Sequence, residues 1–391
     1  MGKRSPIKNL KILIVGHVTE SYGPMQSLPE YCQKRVKEFA VISHPFSYCT
    51  IPYSECLLYL DGKIKKQYRG LKIKTKWPIH YVADVGLTFW FVIRMRKKWD
   101  LFIGSDCLNA FTGIVLRLLG IVSKVVFYEH DYSPERFANW TLDAIFHYIN
   151  GFSARHADFV WDNPPNLLEM RKKQRVDLKK VIRVPHGVDL SKIKILPLNK
   201  IQRKTLVYVG YIDQNKGLQL VVRAVKTLTR KIPQIKVSVV GSGHYEPEIR
   251  KMVRKYKLEK YFDFFGFTSH DWTLGYLPSC AVGLAPYLNR SKSTFRFAEP
   301  LKVKDYLSCG LPVIITKVPD MAKEIEAKKL GLAIRYNVDE LAKAIFKLLK
   351  DDKFYRQCRR NALNYSKNIS WNHTFDQAFE KTLSSAGINN N

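Results

Sequence analysis

The chain has 391 residues, of which 65 are Lys or Arg and 34 are Asp or Glu, giving a formal net charge of +31. With 46% hydrophobic and 13% aromatic residues, the composition excludes a disordered chain, and the length allows two domains that each bury a core. So large a positive charge predicts an anionic partner, such as phosphates, a nucleic acid or an acidic membrane face.

Cysteine usage and hydropathy indicate the cellular compartment to expect for the protein. The seven cysteines form no C-x-x-C pair and no cluster with His at metal spacing, which indicates reduced thiols. The N-terminal apolar run is short and ends in a glycine turn, which is typical of a first strand and not of a signal peptide. No stretch reaches the length of a transmembrane helix. We therefore expect a cytoplasmic protein, with a peripheral position on the inner face of the cell membrane as an open alternative.

Strand-like runs alternate with helical patterns through the first half, which is typical of an α/β fold with a parallel sheet. The first run, residues 10–15, leads into a loop with Gly16 and Gly23 and then a helical pattern over 28–39. Further runs lie at 41–43, 71–73, 101–104 and 125–128. The glycine loop lacks G-x-G-x-x-G, so a floor for an acceptor and a plain strand-to-helix turn both remain open.

Polar clusters follow several of these strands, where ligands of parallel sheets bind. The densest lies at 129–136 and contains His130 and Asp131. His130 could bind a sugar hydroxyl or stabilise charge near a reacting carbon, and Asp131 could orient it or bind the sugar. A His in this position can equally be a structural hydrogen-bonding residue.

Two basic segments distinguish the first half. The first combines the lysines and arginines of 63–76 with Arg94, Arg96, Lys97 and Lys98, which follow the aromatic residues 89–91. Cations beside bulky aromatics suit a helix on anionic lipid headgroups, and a solvated basic face is the alternative. The second segment, 171–180, is interpreted as a solvated face.

A polar stretch at 190–205 separates a second α/β set, which begins with a strand at 206–209. Lys216 lies at or near the start of the helix predicted over 218–229. An ammonium beside free helical N–H groups would bind a diphosphate well. The loop 241–243, Gly-Ser-Gly, is typical of a close backbone approach.

Residues 297–316 are predicted to form a short helix, a stop at Gly310 and a buried strand. The first helical turn, at Pro300, could hold phosphate, and Asp305 could accept hydrogen bonds from ribose hydroxyls. An ordinary helix with a solvated Asp is the alternative. The tail at 369–384 is predicted to be an amphipathic helix.

Four motifs in order resemble those of retaining GT-B glycosyltransferases of the family 4 type, the glycosyl transferases group 1. They are H-G-V-D at 186–189, V-G-Y-I-D-Q-N-K-G at 209–217, V-V-G-S-G at 239–243 and P-L-K-V-K-D-Y-L-S-C-G-L-P-V-I at 300–314. The resemblance covers essentially all of the second half and implies an α/β fold of two Rossmann-like doubly wound domains facing a cleft. It implies an acceptor domain at 1–190, a linker at 191–204, a donor domain at 205–366 and a C-terminal helix, 367–391, that returns to the first domain.

The resemblance also assigns site residues. His130 and Lys216 are expected to be catalytic. Donor binding is expected from Gly16, Gly210, Tyr211, Lys216, Gly241, Lys302 and Asp305. Contacts to the acceptor or sugar are expected from Gly23, Asp131 and Glu299.

Two positions depart from the family pattern. Tyr211 stands where an arginine is usual, so either Arg183, Arg296 or Lys302 supplies that cation or donor binding is weaker. Phe297 stands where the first of two glutamates is usual.

The function implied is that of a hexosyltransferase that moves a sugar, with retention and without a metal, from a UDP- or GDP-type nucleotide sugar. The nucleotide sugar is a co-substrate, and no cofactor is expected. The acceptor is expected to be a glycan or a lipid-linked precursor of a cell-envelope polysaccharide, and no nucleic acid is expected as a partner. A non-catalytic basic protein of this shape that binds lipid or nucleic acid, and a sugar-nucleotide epimerase, are the alternatives.

Overall fold

The computed structural model describes residues 6–19, 22–46, 49–70, 79–130, 132–133, 135–163, 167–288 and 300–386. The chain forms two compact units, Met1–His186 with Trp371–Asn391, and Gly187–Ser370. The residues predicted as a linker, 191–204, lie in the second unit and include the start of a strand. The seven cysteines form no disulfide.

The strands of the described residues are, in chain order, β1 (Lys11–Val18), β2 (Glu38–Pro45), β3 (Glu55–Leu60), β4 (Lys63–Arg69), β5 (Trp99–Ser105), β6 (Val122–Glu129), β7 (Phe159–Asp162), β8 (Val181–Arg183), β9 (Gln202–Val209), β10 (Lys236–Val240), β11 (Phe262–Gly266), β12 (Cys280–Ala285), β13 (Val313–Thr316) and β14 (Gly331–Ile334).

The α-helices of the same residues are α1 (Pro24–Gln33), α2 (Ile79–Met95), α3 (Cys107–Leu118), α4 (Trp140–His156), α5 (Leu167–Lys173), α6 (Leu218–Leu228), α7 (Glu246–Lys255), α8 (His270–Tyr276), α9 (Leu301–Ser308), α10 (Met321–Ala327), α11 (Val338–Lys350), α12 (Asp352–Ser366) and α13 (Trp371–Ala386). None of these helices combines the length and the hydropathy that a membrane-spanning helix requires.

The sheet of the first unit runs β4-β3-β2-β1-β5-β6-β7-β8. The pairs from β2 through β1 to β8 are parallel, whereas β3 and β4 form an antiparallel extension at one edge. The helix predicted over 28–39 is wrong at its end, since α1 stops at Gln33 and β2 begins at Glu38. The cause is tertiary, because Phe39 to Ile42 are buried as strand partners of β1. The strand predicted at 71–73 lies outside the described residues.

The sheet of the second unit is wholly parallel and runs β11-β10-β9-β12-β13-β14. This is the order of a doubly wound nucleotide-binding sheet, with the first strand, β9, in the middle. The chain moves outward from β9 to one side and then returns to β12 on its other side. In such sheets ligands bind beyond the carboxyl ends of the strands at this switch point. A site is therefore expected where β9 and β12 end.

The C-terminal helix α13 packs on the first unit. Tyr31 of α1 donates a hydrogen bond to Asp376 Oδ1 (2.6 Å), and Trp161 of β7 donates one to Thr382 Oγ1 (3.0 Å). Phe375 and Phe379 are fully buried. The predicted return of the C-terminal helix to the first domain is therefore confirmed, and its aromatic stripe is packing surface.

Candidate functional site

Three glycine-containing loops lie side by side at the carboxyl edge of the second sheet. The N–H of Gly210, after β9, donates to the carbonyl of Val240 (2.9 Å), and the N–H of Gly241 donates to the carbonyl of Gly266 (2.7 Å). Gly210 and Gly241 both have φ of +122°, where a side chain is strained. A Cβ on Gly241 would lie 2.3 Å from the Gly210 carbonyl oxygen. The two predicted glycines thus leave bare backbone at the point where the sheet is expected to bind a ligand.

Lys302, the second residue of α9, points its ammonium to this switch point. The Nζ atom is buried and has no hydrogen-bond partner among the described residues. It lies 4.3 Å from the centre of the Tyr208 ring on β9 and 5.1 Å from that of Tyr287, which follows β12. A Cβ on Gly210 would be 3.7 Å from it. Burial, and then the charge of Lys216, lower the pKa of Lys302 well below its usual value. Among the described residues, no negative charge acts on Lys302 to favour its ionised form.

Lys216 supplies a second cation beside the first. It ends a short 3-10 turn, and Gly217 follows with φ of +77°. A Cβ on Gly217 would lie 1.7 Å from the carbonyl oxygen of Pro286, so the close contact with the loop after β12 requires glycine. Lys216 Nζ is 5.6 Å from the centre of the Tyr211 ring and forms no ion pair with a described residue. Burial lowers the pKa of Lys216, and Asp213 opposes this shift.

Tyr211 does not replace the usual arginine as a charge. Its side chain is 52% exposed, and its hydroxyl lies 3.1 Å from His244 Nδ1. Of the three candidates for the missing cation, Arg183 lies on β8 of the first unit and Arg296 lies outside the described residues. Lys302 is the candidate that the structure brings to Gly210.

Asp305 lies one turn after Lys302 on α9 and is 6% exposed, so the alternative of a solvated Asp is wrong. Its Oδ2 is 3.4 Å from Nε2 of His270, at the start of α8. The predicted stop at Gly310 is confirmed by its φ of +75°. Pro300, the N-cap residue of α9, makes no side-chain hydrogen bond to the first turn. Glu299 and Phe297 lie outside the described residues. The sequence did not identify His270, because it lies 35 residues before Asp305 in the chain and meets it only in the folded unit.

The first unit holds His130 at the end of β6. Its Nε2 lies 2.6 Å from Ser105 Oγ at the end of β5, and its ring meets the Tyr128 ring edge to face with centres 3.9 Å apart. Burial lowers the pKa of His130 to about 4, with Asp106 opposing, so the imidazole is neutral near pH 7. Its Nδ1 is buried and makes no hydrogen bond to the described residues. Asp131 lies outside the described residues.

A buried ionic cluster that sequence reasoning missed lies next to Ser105. His17 Nδ1 is 2.6 Å from Asp106 Oδ2, and His17 Nε2 is 3.2 Å from Asp84 Oδ2. Burial alone would lower the pKa of His17, but Asp106 and Asp84 outweigh it and raise the pKa to about 9. Asp106 also caps α3 through the N–H groups of Leu108 and Asn109, at a φ of +88°. The sequence feature that could have pointed to this cluster is Asp106, which directly follows strand β5.

Gly16 and Gly23 lie at the end of β1 and the start of α1. A Cβ on Gly16 would lie 2.6 Å from Met25 Sδ and 2.7 Å from Ser105 Cβ, so close packing of α1 accounts for this glycine. Gly23 is the N-cap residue of α1, and a Cβ there would have ample room. The structure groups Gly210, Gly241, Lys216, Lys302 and Asp305 in the second unit and Gly16, Gly23 and His130 in the first.

Residues 193–365 match the family described as Glycosyl transferases group 1. The matched segment lies within the second unit. The chain is 25% identical over 174 residues to an uncharacterized glycosyltransferase of Haemophilus influenzae, and the match covers 42% of this chain and 45% of that protein. It is 21% identical over 244 residues to the putative colanic acid biosynthesis glycosyltransferase WcaL of Escherichia coli, covering 61% and 58%. These matches thus span less than two thirds of each relative.

Solved structures extend the likeness in fold to the first unit. A sucrose-phosphate synthase from Thermosynechococcus elongatus superposes with a TM-score of 0.75 at 16% identity, covering 97% of this chain and 100% of that one. Anabaena Alr3699/HepE in complex with UDP superposes with a TM-score of 0.70 at 15% identity, covering 96% and 100%. The predicted fold class, α/β of the GT-B type with two Rossmann-like units, is therefore confirmed.

Proposed function

We propose that the protein is a hexosyltransferase that cleaves a nucleotide-diphosphate sugar and passes the sugar to an acceptor. The observation that carries this proposal is the pair of lysines at the switch point of the second sheet. The charge of Lys216 acts on Lys302, and neither lysine forms an ion pair with a described residue, although the Asp213 carboxylate favours ionisation of Lys216. Burying an ammonium without a partner is costly, so the arrangement calls for an anion with several charged oxygens.

The same two lysines suit the chemistry of donor cleavage. When the bond between the anomeric carbon and the diphosphate oxygen breaks, negative charge develops on the leaving diphosphate. Preplaced donors are most effective where charge develops in a site that excludes water. Two ammonium groups and the first turn of α9, where Pro300 provides no side-chain cap, can supply this stabilisation, so we propose that transfer requires no metal and no cofactor.

Asp305 is proposed to bind the donor ribose. It is on α9, one turn from Lys302, and its Oδ2 lies 3.4 Å from Nε2 of His270. A carboxylate one helical turn from a phosphate-binding lysine can accept hydrogen bonds from vicinal hydroxyls. The co-substrate is proposed to be of the UDP or GDP type, in line with the UDP present in the Anabaena structure.

His130 is proposed to contact the transferred sugar as a neutral group. With Ser105 bonded to Nε2, only Nδ1 is left to meet a ligand. A neutral imidazole can bind a hydroxyl and stabilise charge without acting as the obligatory base. We propose retention by front-face attack, with the leaving phosphate assisting deprotonation of the acceptor.

The acceptor is proposed to be a glycan or a lipid-linked precursor of a cell-envelope polysaccharide. The WcaL relative is named for colanic acid biosynthesis. Another relative, 28% identical over 151 residues, is a chitobiosyldiphosphodolichol beta-mannosyltransferase of Kluyveromyces lactis. A lipid-linked acceptor would bring this protein to the inner face of the cell membrane.

Lys216→Ala provides the test. We expect release of UDP or GDP from a panel of sugar nucleotides to fall at least about a hundredfold, because a donor to the developing charge is lost. The thermal unfolding midpoint should stay unchanged, since Lys216 makes no ion pair with a described residue. The matched control is Lys226→Ala, which removes an exposed lysine from α6 and should leave turnover intact.

Thermal-shift measurements with UDP, GDP and ADP would first establish which nucleotide binds. An unchanged rate in Lys216→Ala would remove this lysine from the mechanism. If no nucleotide binds and no sugar nucleotide is cleaved, the chain is a non-catalytic protein of this fold.

A further inference from the structure

Helix α2 carries an apolar stripe on its outer side. Val82, Trp90 and Ile93 are 73%, 44% and 64% exposed, and Gly86 lies between them with open space where a Cβ would be. The spacing of four, four and three residues places all four on one face of the helix. A surface helix normally presents polar residues there. The only acidic residue of α2, Asp84, is buried instead.

The inner side of α2 already accounts for its packing. Phe91, Val92 and Met95 belong to the buried cluster that also contains Cys56 and Leu58 of β3. The helix is therefore held on the first unit without help from the outer stripe. Three large apolar side chains on its outer side are more than packing requires, and contiguous exposed apolar surface marks an interaction site.

Cations frame this stripe. The guanidinium carbon of Arg94 is 5.4 Å from the centre of the Trp90 ring and 5.8 Å from that of Tyr68 on β4. Tyr68 pairs with Cys56 in the sheet, and Lys66 pairs with Leu58. Since Cys56 and Leu58 face α2, Lys66 projects from the same side of the sheet. Strand β4 thus contributes Lys66 on the side of the sheet where α2 packs.

Some cations of these segments have counter-ions within the part of the chain that the structure describes, and others have none. Lys97 pairs with Glu38, and Arg69 pairs with Glu55. By contrast, no ion pair links a described acid to Lys66, Arg94, Arg96 or Lys98. The surface is therefore apolar at its centre and basic at its rim.

We propose that this surface, formed by the outer face of α2 with Lys66 of β4 and the cations Arg94, Arg96 and Lys98, binds an anionic phospholipid bilayer. Tryptophan and arginine prefer the membrane interface, and apolar side chains such as Val82 and Ile93 can enter the acyl boundary. Each cation near an anionic leaflet adds about a fivefold gain in binding. A nucleic acid would use the cations but would leave the aliphatic side chains without a partner.

The proposal goes beyond donor cleavage, which concerns the second unit, and it rests on the proposed function only for the lipid-linked class of acceptor. The test uses the full chain and two kinds of vesicle, one of phosphatidylcholine alone and one with a third of phosphatidylglycerol. We expect the protein to sediment with the anionic vesicles and to remain in solution with the neutral ones.

Two variants separate the apolar and the charged contributions. The first variant is Trp90→Glu, and the second combines Lys66→Glu with Arg94→Glu. Each variant should lower partitioning onto anionic vesicles about tenfold or more. Matched controls lie in the second unit. Phe346→Glu changes an aromatic residue of similar exposure, 39%, and Lys251→Glu with Lys255→Glu reverses two exposed charges of α7. Both controls should partition within about twofold of the parent chain.

A conservative variant keeps the test decisive if a charged substitution impairs folding. Brominated phospholipid should quench the tryptophan emission of the parent chain, and Trp90→Phe should lose most of the quenched component. Unchanged quenching in Trp90→Phe, or equal binding to neutral vesicles, would overturn the proposal. Binding to duplex DNA that competes with vesicles and is unaffected by Trp90→Glu would also overturn it, in favour of a nucleic-acid surface.

Donor cleavage measured without vesicles distinguishes this proposal from the proposed function. Trp90→Glu should cleave the sugar nucleotide at the parent rate in solution while failing to bind vesicles. Vesicle binding without cleavage by the parent chain would leave the surface in place and refute the transferase proposal alone.

Discussion

Two buried cations, one in each unit, differ in their hydrogen-bond partners. In the first unit, Arg171 is 0% exposed and forms two hydrogen bonds to Asp162 (2.7 and 2.9 Å), with further bonds to Asn150 and Gln174. In the second unit, the buried ammonium of Lys302 has no hydrogen-bond partner among the described residues. The first arrangement is complete without a ligand, whereas the second would be completed by a bound anion.

This difference separates structural charge from functional charge. A buried ion with all its hydrogen bonds fixes the elements that it joins, and removing one partner leaves the other uncompensated. A buried ion without partners lowers the stability of the empty protein, so we expect a ligand to compensate it. Burial alone does not distinguish the two cases, whereas the presence or absence of hydrogen-bond partners does.

The largest effect is expected from Arg171→Met, which leaves the carboxylate of Asp162 buried and unpaired. We expect the free energy of unfolding of the first unit to fall by about 3–5 kcal/mol. Urea unfolding, followed by hydrogen exchange of peptides from the first sheet, measures this loss. The control is Lys172→Met, which removes an exposed ion pair to Glu169 and should change the free energy by less than about 0.5 kcal/mol. Equal effects of the two variants would contradict the comparison.

A pH effect of nearly the same size is expected from His17. Because its pKa rises from 6.5 in the unfolded chain to about 9 in the fold, its stabilising contribution is fully present below pH 6.5. That contribution, about 3 kcal/mol, is lost as the pH rises through 9. Hydrogen exchange of β1 amides between pH 6.5 and 9, corrected for intrinsic rates, should show this loss. His17→Gln should flatten the profile, and an unchanged profile would assign the pH dependence to other groups.

Lys302→Met should affect binding and stability in opposite directions. Loss of a charge-assisted hydrogen bond to phosphate should weaken nucleotide-diphosphate binding about ten- to a hundredfold. The free energy of unfolding should stay the same or rise, because an unpaired ammonium is replaced by an apolar group. Calorimetric titration and urea unfolding measure the two quantities. Lys226→Met is the matched control, since Lys226 Nζ also lies over an aromatic ring, 4.4 Å from that of Tyr256.

A fall in stability in Lys302→Met, with unchanged nucleotide affinity, would show that Lys302 is a structural residue. It would then resemble Arg171, and the contrast between the units would fail.

The smallest effect is expected from Tyr211→Arg, which restores the cation usual in the family. Because Lys302 already lies at Gly210, nucleotide affinity should change by only about two- to threefold. Tyr211 is half-exposed, so stability should barely change. A gain of tenfold or more would mean that Lys302 does not fill the role of the missing arginine.

Sequence patterns predicted the second unit better than the first. The features of the second unit are local: a strand, a glycine and a helix follow each other within a few residues, and Gly210, Gly217, Gly241 and Gly310 all take positive φ. Such positions can be found from spacing alone, because the backbone geometry that requires glycine recurs in every loop of this type. The roles of Lys216, Lys302 and Asp305 in binding stay predictions.

The first unit depends on contacts that spacing does not encode. Arg171 was interpreted as part of a solvated face, and this was wrong because its partners, Asp162 and Asn150, come from other elements. The cluster around His17 joins β1, α2 and α3 in the same way. Strand β4 was not predicted, since an exposed edge strand of lysines lacks the alternation of a half-buried strand.

The attachment of α13 also has a consequence for the order in which the protein folds. The first unit includes a helix that the ribosome makes only after the whole second unit, whereas the second unit is continuous in the chain. Until α13 emerges, Tyr31 and Trp161 lack their hydrogen-bond partners, and the surface that covers Phe375 and Phe379 stays open to water. The half that is synthesised first is therefore the half that is completed last, and a nascent chain arrested before residue 371 should expose this surface to chaperones.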